Sequence, residues 1–314
     1  MLVFVFPGQG SQFTGMARDL ALARPIARDT FDEADATLGF SLSALCFDGP
    51  EDLLQLTANA QPAILTASIA AMRCLGEIGI QPEAVAGHSL GEYSALVAAR
   101  VIEFADAVRL VRQRGLYMQE AVPVGRGAMA AVMGLPASTI ESICREASAW
   151  PDGRPDDGVW PANLNAPGQI VISGESAAVD RAIELAKSNG ARRAVRLAVS
   201  APFHCPLMQP AADRLAKDLE GVIFKEPSIP VVVNVDASVV RSGASAREAL
   251  KRQVTAPVRW EESVRALAAL GGRRALEVGP GRVLSGLIKR ITPELVCDPA
   301  GDAAAIAGIG EVGP

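Results

Sequence analysis

Five consecutive apolar residues, Leu2-Val3-Phe4-Val5-Phe6, stand near the start of the chain and stop at Pro7-Gly8-Gln9-Gly10-Ser11-Gln12. A continuous apolar run of this length, closed by turn residues, reads as a strand buried on both faces. A glycine-rich turn after such a strand is where α/β proteins place backbone that contacts ligands. Residues 16–80 are helical in pattern, with breaks near Pro25, Gly39 and Gly49-Pro50, and the segment from Ala63 to Leu75 after Pro62 is mostly apolar. Ala84 to Ala86 reads as the end of a second buried strand, followed by an alanine-rich helix and then a helix from about Phe104 to Glu120.

From Gly127 the rhythm changes. Ala128 to Met133 reads as a strand, Ser138 to Ala149 as a helix, and Val159 to Asn165 and Gln169 to Ser173 as two strands around Ala166-Pro167-Gly168. Ala177 to Ser188 is a helix closed by Asn189-Gly190, and Ala194 to Val199 is a further strand. Strand-helix-strand-strand-helix-strand is the order of a ferredoxin-like unit. The stretch 150–160, rich in Pro, Gly and Asp, is expected as a surface loop within it. After Ser200 come a helix from Pro206 to about Leu219, a buried strand from Pro230 to Val235 and a helix over roughly Glu261 to Ala269. The strand Ala275-Leu276-Glu277-Val278 then meets Gly279-Pro280-Gly281 and a helix to Arg290. The predicted class is α/β: an α/β-hydrolase-like large domain with a parallel sheet (residues 1–125 and 200–298), an inserted ferredoxin-like subdomain (126–199) and a flexible Ala/Gly-rich tail (299–314).

The chain has 314 residues, of which 49% are hydrophobic and 21% charged, enough for a sizeable core and against wholesale disorder. The apolar run Leu2 to Phe6 is too short for a signal peptide or a membrane span. Five cysteines are scattered without C-x-x-C spacing, so neither a disulfide framework nor a zinc site is expected, and a reducing cytoplasm is the simplest home. Net charge is −5 with no basic run, which argues against a nucleic-acid partner. Neither a metal nor a bound cofactor is expected.

Candidate chemistry centres on Gly87-His88-Ser89-Leu90-Gly91, a G-x-S-x-G nucleophile elbow with strand before it and helix after it. The amide after the serine lies at a helix N-terminus, where its N–H stabilises an oxyanion. A serine nucleophile needs a base, and the chain has two histidines. His88 adjoins Ser89, and neighbouring side chains on such a turn diverge. That leaves His204, held between prolines in Pro202-Phe203-His204-Cys205-Pro206; the alternative is a structural histidine capping the next helix. Cys205 is a second possible nucleophile, though a buried inert thiol suits it better. In hydrolases an acid comes between Ser and His in chain order, but candidates here such as Asp180 and Glu184 fall in the insert on a polar helix side, so a hydrolase triad fits poorly and an amide or backbone carbonyl is left to orient His204. On the helix 104–120, at about 100° per residue, Arg114 lies at the border of the apolar stripe, whereas Arg109 projects away. Arg114 either aims into a cleft or forms an ordinary surface ion pair.

These residues resemble the malonyl-CoA:acyl-carrier-protein transacylases of fatty-acid synthesis and the related acyltransferase domains of polyketide synthases. The matching stretches are Phe6-Pro7-Gly8-Gln9-Gly10-Ser11-Gln12, Gln61-Pro62-Ala63, the elbow through Leu96, Arg112-Gln113-Arg114-Gly115, Gly127 to Val132, Asn165-Ala166-Pro167-Gly168-Gln169, Phe203-His204-Cys205 and Glu277-Val278-Gly279-Pro280-Gly281. The resemblance implies that Ser89 takes the acyl group, His204 is its base, and the amides of Gln9 and Leu90 form the oxyanion hole. It implies further that Gln253 holds His204 through a carbonyl, replacing the absent acid. Arg114 would grip the malonyl carboxylate, with Phe203 and Asn165 in the substrate site. Malonyl-CoA and an acyl carrier protein are the implied partners. Phe203 before His204 is similar to the Phe-His pair of malonyl-selective polyketide acyltransferases, which leaves the pathway open. Alternatives are a freestanding polyketide acyltransferase, a malonate decarboxylase transfer subunit, a thioesterase, or a non-catalytic acyl-binding protein. Because carriers are acidic, docking needs a local basic patch, for which Arg282, Lys289 and Arg290 are the candidates.

Overall fold

The computed structural model describes residues 1–149, 158–199 and 201–312. Its strands are β1 (Leu2–Phe6), β2 (Ala84–Gly87), β3 (Gly127–Met133), β4 (Val159–Ala166), β5 (Gln169–Glu175), β6 (Arg193–Arg196), β7 (Val231–Val233), β8 (Ser238–Val240), β9 (Arg274–Glu277) and β10 (Val296–Pro299). Six of them form one sheet in the order β10-β9-β1-β2-β7-β8, parallel throughout except for the antiparallel β7–β8 pair. The fold is mixed α/β around this largely parallel sheet. Strand β1 shows why its sequence lacks alternation: Phe4 and Phe6 join one core with Ile64, Leu65 and Leu96, while Val3 and Val5 join another with Trp260 and Ile288 on the opposite face.

The remaining strands form a second, antiparallel sheet in the order β4-β5-β3-β6. Ala128, Ala130 and Val132 on β3 face Ile140 and Ile143 of the helix Ala137–Ser148 and Val179 and Ala182 of the helix Ser176–Ser188. Met129 and Val171 turn the other way, into the main core. Strand β4 is tied to the segment before the helix Trp260–Ala269, where the Leu164 N–H donates to the Val258 carbonyl and the Val258 N–H donates to the Ala162 carbonyl. Most of the loop expected over 150–160, residues 150–157, lies outside the described residues.

Two expectations are corrected. The helix expected from Ala63 begins at Thr57 and runs to Glu77 straight through Pro62. A proline there cannot donate to the carbonyl four residues back, on Ala58. Arg112 Nη1 fills that role, donating to the Ala58 carbonyl at 2.7 Å, so the defect in one helix becomes a tie to the helix Phe104–Glu120. Residues 299–314, expected as a flexible tail, contain instead the helix Ala303–Val312. Ile306 and Ile309, three apart and thus on one face, are buried in the main core, and the Ala303 N–H donates to Asp19 Oδ2 at 2.7 Å. Among the described residues no helix is long and apolar enough to cross a membrane.

Candidate active site

Strand β2 delivers the chain to a turn packed with no room to spare. A Cβ on Gly87 would stand 1.9 Å from the Gly91 carbonyl, and one on Gly91 would stand 2.1 Å from the Phe6 carbonyl oxygen at the end of neighbouring β1. The glycines are therefore required by close backbone approach. The left-handed conformation falls on Ser89 itself, at φ 51°. The helix Gly91–Ala98 starts two residues later, so Leu90 lies at its N-terminus.

Ser89 Oγ lies 2.7 Å from His204 Nε2, and His204 Nδ1 lies 3.0 Å from the backbone carbonyl of Gln253. A carbonyl only accepts, so Nδ1 carries the proton and Nε2 is free to take the serine's. The orienting group is thus the main chain of Gln253, whereas its side chain works elsewhere: Nε2 donates to the Ser89 carbonyl at 3.1 Å and Oε1 accepts from Arg114 Nη2 at 3.0 Å. His204 is buried and, like Ser89, has a positive φ, 59°. Burial, and then the charge of Arg114, push its pKa down to about 3, against the hydrogen bond to Gln253, so the imidazole is neutral at working pH.

Arg114 is 2% exposed, which removes the surface ion-pair alternative. Its Nη1 donates to Gln61 Oε1 at 2.7 Å and its Nη2 reaches Ser89 Oγ at 3.2 Å. The guanidinium lies 5.7 Å from the Tyr93 ring centre, and Nε has no hydrogen-bond partner among the described residues. No carboxylate there stands at ion-pair distance from it. Burial draws its pKa down, yet a guanidinium remains charged in proteins. The site thus holds a desolvated cation whose nearest partners are neutral. Arg109, by contrast, pairs on the surface with Asp106 at 2.6 Å.

His88 points elsewhere. Its Nε2 bonds to Asn165 Oδ1 at 2.8 Å and its ring meets Trp260 edge-on at 5.5 Å, while burial lowers its pKa. Cys205 is buried, bonds to the Pro202 carbonyl at 3.1 Å, and has its thiol pushed up to about 11 by burial, so it carries little thiolate. Ser89, His204, Arg114, Phe203, Gln9 and Leu90 share one cleft of about 780 Å³ with Asn165, lined by residues of β3, β4 and β5 together with the turns that follow β1 and β2. Gln253 stands behind this wall, fully buried. Arg282, Lys289 and Arg290 are exposed at the helix Val283–Ile291, with Arg290 Nη2 tied to the Pro167 carbonyl. Among the described residues no group of three or more His, Cys, Asp and Glu is placed to hold a metal ion.

Three residues at the site were given no role from sequence. Gln61 anchors Arg114, and Asn234 and Glu92 are fully buried beneath the elbow. Glu92 Oε2 accepts the Asn234 N–H at 2.6 Å, and burial pushes its pKa up to about 7 despite that bond and the Arg114 charge. The available signal was a polar residue at the end of an otherwise apolar strand, Asn234 after Val231-Val232-Val233, and an acid in the first turn of the otherwise apolar helix 91–98.

The acyl transferase domain family matches residues 3–308. Malonyl CoA-acyl carrier protein transacylase of Escherichia coli K12 is 51% identical, the match covering 97% of each chain. An acyl carrier protein S-malonyltransferase from Vibrio cholerae superposes with a TM-score of 0.94 at 47% identity, covering 98% of this chain and 99% of that one. A malonyl-transacylase solved in complex with its type II PKS acyl-carrier protein gives 0.95 at 49% identity, covering 99% of both. Whole-length similarity of this order, over the elbow and both sheets alike, means that the chain belongs to the malonyl CoA-acyl carrier protein transacylase family.

Proposed function

We propose that this chain transfers a malonyl group from malonyl-CoA to the phosphopantetheine thiol of an acyl carrier protein, through an ester on Ser89. The observation that carries the reading is the convergence on one oxygen: Ser89 Oγ has a neutral imidazole nitrogen at 2.7 Å and, at 3.2 Å, a buried guanidinium with no carboxylate at ion-pair distance among the described residues. In the first half-reaction His204 Nε2 takes the serine proton as Oγ attacks the thioester carbonyl, then gives it to the departing CoA sulfur. In the second, Nε2 takes the proton of the carrier thiol, the thiolate attacks the ester, and the proton returns to Oγ. The Gln9 and Leu90 amides receive the developing oxyanion; Ser89's own N–H is already donated to Asn234 Oδ1 at 2.7 Å. Arg114 holds the malonyl carboxylate, whose oxygens replace the contact it makes with Oγ, and Phe203 and Asn165 bound the acyl site. CoA enters as substrate, and no cofactor is needed for either step.

The same reading treats the large sheet with its elbow as an α/β-hydrolase-like domain over residues 1–125 and 200–298, and the β4-β5-β3-β6 unit as an inserted ferredoxin-like subdomain over 126–199. Free, buried thiols at Cys46, Cys74, Cys144 and Cys205 support a cytoplasmic setting. The test is product analysis: malonyl-CoA with a phosphopantetheine-bearing carrier should yield malonyl-carrier, with free malonate a minor product. Rapid malonate release that ignores the carrier would make the chain a thioesterase. Absence of any turnover would make it an acyl-binding protein.

A further inference from the structure

A serine does not rest in the left-handed region unaided, so its neighbours must hold it there. At Ser89 two buried side chains grip the peptide groups on either side of the nucleophile. Gln253 Nε2 holds the carbonyl, and Asn234 Oδ1 accepts the N–H at 2.7 Å. Asn234 also reaches across the turn, its Nδ2 donating to the Gly87 carbonyl at 2.7 Å. One carboxamide thus ties the last residue of β2 to the nucleophile, spanning His88. Asn234 is in position because it directly follows β7, the parallel neighbour of β2. Its own backbone is fixed on both sides: the N–H donates to Glu92 Oε2 at 2.6 Å, and the carbonyl accepts the Arg259 N–H at 3.2 Å. Asn234 and Glu92 are both fully buried, so water does not compete for these bonds.

We infer that Asn234, braced by Glu92, is the positioning residue that keeps Ser89 left-handed and aims its Oγ at His204 Nε2, so that it sets the rate of both half-reactions without touching the acyl group. The inference rests on Ser89 being the nucleophile. Its chemistry is specific, because a carboxamide offers one acceptor to the Ser89 N–H and one donor to the Gly87 carbonyl. Alanine offers neither. An ionised carboxylate accepts from Ser89 but faces the Gly87 oxygen without a proton, whereas a protonated carboxyl restores the original set.

The experiment follows pre-steady-state acylation by malonyl-CoA, normalised to folded protein, in the wild type, Asn234→Ala, Asn234→Asp and Ser89→Ala. Asn234→Ala should acylate about a hundredfold more slowly, the cost of a misaimed nucleophile, with KM for malonyl-CoA held within about threefold and transfer to the carrier slowed by the same factor. Asn234→Asp should be equally slow at pH 8 and recover at least about tenfold towards pH 5.5, as burial beside Glu92 lifts its carboxyl into that range. The wild type should stay level there. Asn234→Ala within about threefold of wild type, or an Asn234→Asp profile parallel to wild type, overturns the inference. The aspartate is near-isosteric and decides the matter even where the alanine does not fold. An adduct persisting in Ser89→Ala identifies a different failure, that of the nucleophile assignment, and takes the inference with it.

Discussion

Replacing His204 with alanine is expected to slow acylation by malonyl-CoA at least about a hundredfold, because positioned general bases contribute on the order of 10² to 10⁴. No other group is placed to substitute: the second histidine bonds to Asn165 and faces Trp260. The pH dependence carries a sharper signature than the rate. An exposed histidine loses its base form below about pH 6.5, but His204 is pushed down to about 3 by burial and by Arg114. A lowered pKa keeps the neutral base on going to acid, so kcat/KM for malonyl-CoA should stay level from pH 8 to about 5 as far as His204 is concerned. Arg114→Ala removes one of the two principal causes of the shift and should move the acid limb upward towards pH 6.5. A wild-type midpoint near 6.5, unmoved by Arg114→Ala, would contradict this electrostatic picture.

Arg114→Ala is expected to cost malonyl transfer roughly 30- to 1,000-fold. Malonyl differs from acetyl by a terminal carboxylate, and a cleft that takes this group from water must replace its solvation. On the proposed reading the guanidinium does so with two charge-assisted hydrogen bonds worth about 1.5–3 kcal/mol each. Desolvation and ordering consume part of the gain, leaving about 2–4 kcal/mol, which is the quoted range. The resting protein holds Nη1 and Nη2 on neutral oxygens of Gln61, Gln253 and Ser89, so the fork is aimed before substrate arrives and loses little by exchanging one neutral partner for a carboxylate. Acetyl-CoA would leave the buried cation without an anion, and Arg114→Ala should therefore gain relative activity towards it. Arg114→Lys should recover only part of the loss, since an ammonium lacks the planar fork. Specificity constants for both thioesters in the three proteins measure this directly. An unchanged malonyl-to-acetyl ratio in Arg114→Ala would remove Arg114 from substrate choice.

Local patterns in the sequence lead to the elements that matter most here, because those elements are built from local patterns. The apolar run Leu2 to Phe6, the glycine pair around Ser89 and the strand and helix rhythm of residues 127–199 can all be read without knowing what packs against them. What stays hidden depends on distant partners. Pro62 continues a helix because Arg112, fifty residues on, takes the carbonyl it leaves free. Arg114 looks like a border residue by angle, yet it continues the spacing Val111, Arg114, Met118 and is buried with them. The missing acid is replaced by a main-chain carbonyl, which any residue could supply, so Gln253 is visible only through family resemblance. The terminal helix was masked by its alanines and glycines, although Ile306 and Ile309 anchor it. Asn234 escapes because its partners, Gly87 at the end of β2 and Ser89 in the turn after it, are distant in sequence.

The central claim is the ester on Ser89, and intact-mass spectrometry with peptide mapping tests it most directly. Protein quenched in acid after brief exposure to malonyl-CoA should carry one malonyl group. That group should map to the peptide containing Gly87-His88-Ser89-Leu90-Gly91, vanish in folded Ser89→Ala, and disappear from the wild type when phosphopantetheine-bearing carrier is added. An adduct on Cys205, or one that survives in Ser89→Ala, would contradict the account.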